Sequence, residues 1–130
     1  MGLIEKRLIK QGQEEWVPEA TKDLRELTGG QQVYEVEWDT FSTDADALNN
    51  VQNQGMRRIN AAFRAISRDD LGKEASNEGV KTIRLRNVAS PSEKSVQVKD
   101  GVVTVQCAWG KGGDGYFTDR ELQLVIEKAL

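Results

Sequence analysis

Apolar residues recur with a helical period in several stretches of the chain. The spacing predicts a short helix from Pro18 to the Gly29-Gly30 pair and a long helix over residues 44–67. It also predicts a short helix after Asp69 and a C-terminal helix after Thr118. The first stretch is ambiguous, because its apolar residues fit either a helix or a strand, and Gln11-Gly12 reads as a turn.

The long helix has the clearest inward face. Thr43 is the predicted cap, and Gly55 lies on the apolar stripe, where we expect another backbone to pack closely. The stripe comprises Leu48, Val51, Gly55, Ile59, Ala62 and Ile66, with Met56 and Phe63 at its sides.

The two other capped helices carry equally specific expectations. Asp69 is predicted to cap the short helix, with Leu71 and Ala75 facing inward. The sequence Thr118-Asp119-Arg120-Glu121 is a capping box. The inward stripe predicted for this last helix is Leu122, Val125, Ile126 and Ala129.

Alternating apolar and polar residues predict the strands. Residues 33–38 and 80–88 each alternate, and residues 95–109 form a hairpin about Asp100-Gly101, which is typical of a type I′ turn. A two-residue turn pairs Lys99 with Val102 and Val98 with Val103. The hairpin is therefore expected to bury Val96, Val98, Val103, Val105 and Trp109 on one face.

The order of these elements indicates an α+β fold. We expect a small antiparallel sheet of about four strands, packed by the long central helix and the amphipathic C-terminal helix. A chain of 130 residues is typical of one domain, so residues 1–130 are taken as a single α+β domain.

Composition narrows the chemistry. The chain has no histidine and one cysteine, Cys107, so it cannot form a Ser-His or Cys-His pair, a histidine- or cysteine-cluster zinc site, or an internal disulfide. Cys107 is expected to be a buried structural thiol in a reducing compartment. No apolar run approaches a membrane span, and no signal peptide is visible. We therefore expect a soluble, cytoplasmic, non-enzymatic protein with no catalytic residue, metal or cofactor.

Charge is distributed unevenly. Residues 1–55 carry 5 basic and 11 acidic side chains, whereas residues 56–86 carry 8 and 4. Polar residues of the long helix lie three or four apart along one side. This Arg/Asn face comprises Asp46, Asn50, Asn53, Arg57, Asn60, Arg64 and Arg68. The predicted partner-binding residues are Arg57, Arg64 and Arg68, extended by Arg84 and Arg86 of the following strand. A solvated face, or pairing with the acidic N-terminal third, is the alternative.

Two other features could carry chemistry. Residues 110–115 match G-x-G-x-x-G, but no second strand follows, so a dinucleotide site is disfavoured; Lys111, Gly112 and Gly113 remain candidates for contact with another anion. A plain loop is the favoured interpretation. An acidic cluster, for which a solvated surface is favoured over a site, comprises Glu35, Glu37, Asp39, Asp44 and Asp46.

No motif assigns an activity. The leading hypothesis is a small intracellular protein-interaction module of the accessory, adaptor or inhibitor kind. One alternative is a nucleic-acid or anion binder that uses the Arg/Asn face, with nucleic acid the less favoured partner. Another is a small-ligand or carboxylate-based enzyme that uses the 110–115 loop. The sequence leaves the partner and the oligomeric state open.

Overall fold

A computed structural model describes residues 2–130 of the chain. Its helices are α1 (Leu3–Gln11), α2 (Val17–Thr28), α3 (Ala45–Asn50), α4 (Arg57–Ile66), α5 (Asp70–Gly79) and α6 (Asp119–Ala129). Its strands are β1 (Val33–Val36), β2 (Thr82–Asn87), β3 (Ser95–Lys99) and β4 (Val102–Cys107). The predicted α+β class and the four-stranded sheet are confirmed.

Residues 3–28 form one continuous helical segment, so the turn predicted at Gln11-Gly12 is wrong. A π-helical turn, Gly12–Trp16, joins α1 to α2, and the N–H of Val17 donates to the carbonyl of Gly12. The wider turn comes just before Pro18, which has no N–H to continue an α-helical ladder. As predicted, α2 ends before Gly29, which adopts the left-handed conformation.

The long helix is also one rod, with a π-helical turn, Val51–Met56, between α3 and α4. All eight apolar-stripe and flanking positions are buried, as predicted. Two details differ from the predictions. Asp44, not Thr43, caps α3 by accepting from the N–H of Ala47. The close neighbour of Gly55 is the indole of Trp109 rather than a backbone.

The inward faces of α5 and α6 are narrower than predicted. Asp69 caps α5 and Thr118 caps α6 in a complete capping box, both as expected. However, Leu71 is 79% exposed and Val125 is 40% exposed, and Ala129 is exposed too. The buried residue of α5 is Ser76, and those of α6 are Leu122, Gln123 and Ile126.

The sheet is mixed, which corrects the predicted antiparallel arrangement. Its strand order is β1-β2-β4-β3, and only β3 and β4 are antiparallel. The β1–β2 and β2–β4 pairs are parallel. The connection from β1 to β2 contains α3, α4 and α5, and such a helical crossover returns the chain to the end at which the first strand began.

The hairpin register is confirmed. Lys99 pairs with Val102, Val98 with Val103, and Val96 with Val105. Asp100 and Gly101 both have positive φ, as a type I′ turn requires. Val103, Val105 and Trp109 are buried, whereas Val96 and Val98 are only half-buried because β3 is an edge strand.

The helices cover one face of the sheet. The helix α2 contacts β1, α6 contacts β3, and α4 packs between α2 and α6. The side chains of Tyr34, Ile83, Leu85, Val103 and Val105 point into this interface and are buried. The opposite face is polar and open to solvent, as in other sheets that are packed on one side.

Candidate functional site

A wide groove lies between α2 and α4. Its volume is about 820 Å³, and the start of α6 closes one end. This is within the usual size range of ligand-binding pockets, about 300–1,000 Å³. The groove is lined by Asp23, Glu26, Leu27, Asn53, Arg57, Arg58, Asn60, Ala61, Arg64, Thr118 and Asp119.

The two walls of the groove carry opposite charges. Arg57 and Arg64 belong to α4, and Asp23 and Glu26 belong to α2. All four are exposed. Within residues 2–130, neither arginine lies within 4.0 Å of a carboxylate. Residues seven apart on a helix lie two turns apart on the same side. The α4 wall therefore presents two guanidinium groups that are free to bind.

A third arginine of the groove, Arg58, contacts the segment that precedes α6. The Nη1 of Arg58 donates to the carbonyl of Phe117 over 3.0 Å. Its guanidinium also lies 5.3 Å from the centre of the Tyr116 ring, which in turn stacks on Trp109. These contacts hold the segment before α6 against α4, so Arg58 is a structural element of the site.

Asn60 lies at the base of the groove and connects neighbouring elements through hydrogen bonds. Its side chain is buried, its Nδ2 donates to the carbonyl of Ala20 over 3.2 Å, and its Oδ1 accepts from the Tyr34 hydroxyl over 2.6 Å. Burial raises the pKa of Tyr34 well above its ordinary value, so this hydroxyl stays a donor. The Arg/Asn face is thus not uniformly solvated, because Asn60 connects α2, α4 and β1.

The other predicted arginines lie elsewhere. Arg68 is 3.7 Å from Glu127 of α6. Arg84 and Arg86 lie on β2 and pair with Glu35 and Glu37 respectively. The predicted set is therefore divided, since only Arg57 and Arg64 line the groove.

The ion pairs of Arg84 and Arg86 show that the acidic N-terminal third pairs with part of the predicted arginine set. The acidic N-terminal third supplies Glu35 and Glu37, which lie beside Arg84 and Arg86. The hydrogen bond from Arg86 lowers the pKa of Glu37. For these two arginines, the internal partner is the one the structure provides.

The glycine-rich loop is held in place by its own backbone. The N–H of Ala108 donates to Gly115, and the N–H of Lys111 donates to Ala108. Lys111, Gly112 and Gly113 are exposed. The helix α6 begins only at Asp119, and its capping residue accepts from the N–H of Glu121. Contact of this loop with an anion stays a prediction.

The acidic cluster is dispersed by the fold. Asp44 caps α3 and also accepts from Asn87, while Glu35 and Glu37 pair with arginines. Residues 2–130 contain no group of three or more carboxylate or cysteine side chains that could hold a metal ion. Cys107 is buried, as expected, and burial raises the pKa of its thiol to about 12.

Sequence reasoning missed the acidic wall of the groove. Asp23 and Glu26 belong to α2, whose apolar spacing indicated only which residues face inward. Their approach to α4 depends on how the two helices pack, and the sequence near Asp23 and Glu26 carries no signal of that packing.

In residues 2–130 no helix has the length and hydropathy needed to cross a membrane. No protein-family model, curated protein or solved structure matches the chain.

Proposed function

We propose that this protein is a non-enzymatic interaction module that binds a segment of a partner protein in the groove between α2 and α4. The segment would carry acidic side chains toward α4 and basic side chains toward α2. The observation that carries the proposal is the pair of guanidinium groups, Arg57 and Arg64, that have no ion-pair partner within residues 2–130 and line a groove of about 820 Å³.

The preference for arginine contacts follows from their chemistry. A guanidinium group binds a carboxylate with two parallel hydrogen bonds, and its planar shape loses less freedom per bond than a lysine chain does. Arg57 and Arg64 are two helical turns apart, about 10.5 Å along the axis. This spacing suits two acidic side chains on one extended or helical partner segment.

The acidic wall favours a protein over a nucleic acid. A nucleic-acid strand is negatively charged along its whole length. Asp23, Glu26 and Asp119 would repel phosphates that approach Arg57 and Arg64. A protein segment can instead present opposite charges on its two sides, so it can complement both walls.

The polar groups at the base and at the closed end of the groove support a binding role rather than catalysis. Asn60 is bonded to Ala20 and Tyr34. The hydroxyl of Thr118 accepts from Glu121. Both groups are therefore engaged in holding the fold, and a nucleophile with an adjacent base is not among the lining side chains.

The proposal can be tested with defined probes and nuclear magnetic resonance. The probes are an acidic peptide, a peptide with acidic and basic side chains on opposite sides of a helix, and a single-stranded oligonucleotide. We expect the mixed-charge peptide to bind most tightly and to shift the amide resonances of Leu27, Asn53 and Ala61. Arg57→Glu combined with Arg64→Glu should abolish those shifts.

A charge-matched control separates local from general electrostatics. Arg7→Glu combined with Lys73→Glu makes the same change in net charge at exposed positions outside the groove. This variant should bind like the parent, and both double variants should keep the parent's unfolding midpoint. If the oligonucleotide binds most tightly at the groove, the anion-binding alternative replaces the proposal. If all probes shift only residues outside the groove, the proposal is wrong.

A further inference from the structure

The strand β3 leaves one of its edges open. It is the outermost strand at one side of the sheet, next to β4. In a two-residue hairpin the pair next to the turn is hydrogen-bonded, so Lys99, Gln97 and Ser95 direct their backbone groups to β4. Val96 and Val98 direct theirs outward, and no residue of 2–130 outside the hairpin bonds to them.

The helix beneath this edge also has an unpartnered side. In α6, Leu122 and Ile126 face the core, while Gln123 and Glu127 lie on the side of α4, where Glu127 meets Arg68. At 100° per residue, Val125 points directly away from α4. It is 40% exposed, and α6 is the helix that contacts β3. An apolar strip therefore runs beside the open strand edge.

We infer that the chain forms a twofold-symmetric dimer in which β3 pairs antiparallel with β3 of a second copy. The two four-stranded sheets then become one continuous sheet, and the two α6 helices meet through Val125 and Ala129. A twofold contact of this kind uses the same patch on both copies, so it uses up the β3 edge of each copy and leaves β1 at the two ends of the joint sheet.

One register uses the whole strand and aligns one pair of opposite charges. When Gln97 lies on the twofold axis, all residues of Ser95–Lys99 are paired, and Val96 exchanges backbone bonds with Val98 of the second copy. Just outside the strand, the same register sets Lys94, whose ammonium lies 4.9 Å from the centre of the Phe117 ring, opposite Asp100 of the second copy. A shift by two residues in either direction loses part of the overlap and separates this pair. Self-complementarity is the reason that a second copy is the occupant we assign.

The other edge of the sheet is less suited to such pairing. The strand β1 has 4 residues against the 5 of β3. It lies over α2, where Arg25 donates to the carbonyl of Gln32 just before the strand. That carbonyl is therefore already bonded and is not available to an added strand.

The first test is the mass of the protein in solution. Sedimentation equilibrium should give about twice the chain mass of 14.5 kDa. Val125→Glu should shift the mass to that of one chain, because it sets two carboxylates against each other at the contact between helices. Leu71→Glu makes the same kind of change at a position that is 79% exposed on α5, and it should stay dimeric. Thermal unfolding checks that both variants are folded.

The second test locates the twofold axis. In the proposed register the side chains at position 97 of the two copies are a close, non-hydrogen-bonded pair. Gln97→Cys should form a disulfide-linked dimer under mild oxidation. Thr104→Cys, on the same sheet face and one strand further from the axis, should not. The native Cys107 is buried and should stay unlinked in both.

The outcomes decide the inference without ambiguity. A single-chain mass for the parent at every concentration overturns it, as does a dimer that survives Val125→Glu. A dimer that Val125→Glu disrupts but Gln97→Cys does not link overturns the strand pairing. None of these variants alters the groove between α2 and α4, so the result is independent of peptide binding there.

Discussion

Gly55 and Trp109 lie in direct contact: a Cβ atom at position 55 would come within 2.9 Å of Cη2 of the indole ring. The ring is 1% exposed and held by a hydrogen bond from its Nε1 to the carbonyl of Arg86. The helix therefore keeps a glycine where any side chain would collide with a fixed ring. This contact is also where the π-helical turn of the long rod meets the end of β4.

We expect Gly55→Ala to lower the free energy of unfolding by about 1–2 kcal/mol, because the cost of overpacking exceeds the gain of about 1 kcal/mol in helix propensity. Gly113→Ala is the control, since a Cβ there meets nothing within 4 Å. Urea unfolding of both variants measures the difference. A Gly55→Ala variant that is more stable than the parent would show that Trp109 can move aside.

The roles of Thr43 and Asp44 at the start of α3 can be separated by mutation, because only Asp44 caps the helix. Asp44 accepts from the N–H of Ala47 over 3.0 Å and from Asn87 over 3.2 Å. Asp44→Ala should therefore cost about 1–2 kcal/mol of unfolding free energy. Thr43→Ala should change it by less than about 0.5 kcal/mol, as at other surface positions. Asp44→Asn keeps an acceptor and should recover most of the loss. Equal losses for Thr43→Ala and Asp44→Ala would contradict this assignment.

The thiol of Cys107 should be inert in the folded protein. Its pKa is raised to about 12, chiefly by burial, so almost none of it is thiolate near neutral pH. An unfolded cysteine has a pKa of about 8.5, and a thiol-specific reagent should therefore react at least about a thousandfold faster in denaturant. Absorbance after mixing with such a reagent gives both rates. Rapid labelling of the native protein would reveal opening of the sheet near β4.

Acid should weaken the fold through two glutamates. The hydrogen bond from Arg86 lowers the pKa of Glu37, and hydrogen bonds from the backbone and side chain of Thr118 lower that of Glu121. The unfolded chain therefore takes up protons first as the pH falls. The stabilisation is complete above the ordinary glutamate pKa of about 4.3 and is lost as the pH falls through the lowered pKa values of the folded protein.

The acid effect is small for each group because both carboxylates are near solvent. Glu37→Gln combined with Glu121→Gln should flatten the dependence of the unfolding midpoint on pH below the ordinary glutamate pKa. Glu14→Gln combined with Glu78→Gln, at exposed positions without an ion pair in residues 2–130, is the control. A parent whose stability does not change from pH 5 to pH 3 would contradict the expectation.

The sequence by itself determined the features that depend on neighbours along the chain. The hairpin register follows from the two-residue turn at Asp100-Gly101 and the alternation of valines. The capping box at Thr118 follows from side chains three residues apart, and the buried stripe of the long helix from its period. Each rests on contacts within a few residues, where backbone geometry allows few alternatives.

Only the tertiary structure decided which elements are neighbours. The pattern of β1 and β2 is equally compatible with parallel and antiparallel pairing, and the helical crossover selects the former. The pattern of α6 marks Val125 as apolar, but its exposure depends on how α6 packs against α4 and β3. Arg57 and Arg64 were visible as a helix face, yet the opposing Asp23 and Glu26 come from packing of α2 against α4. Such contacts join residues far apart in sequence, and they are selected by how whole surfaces fit together, which no local pattern encodes.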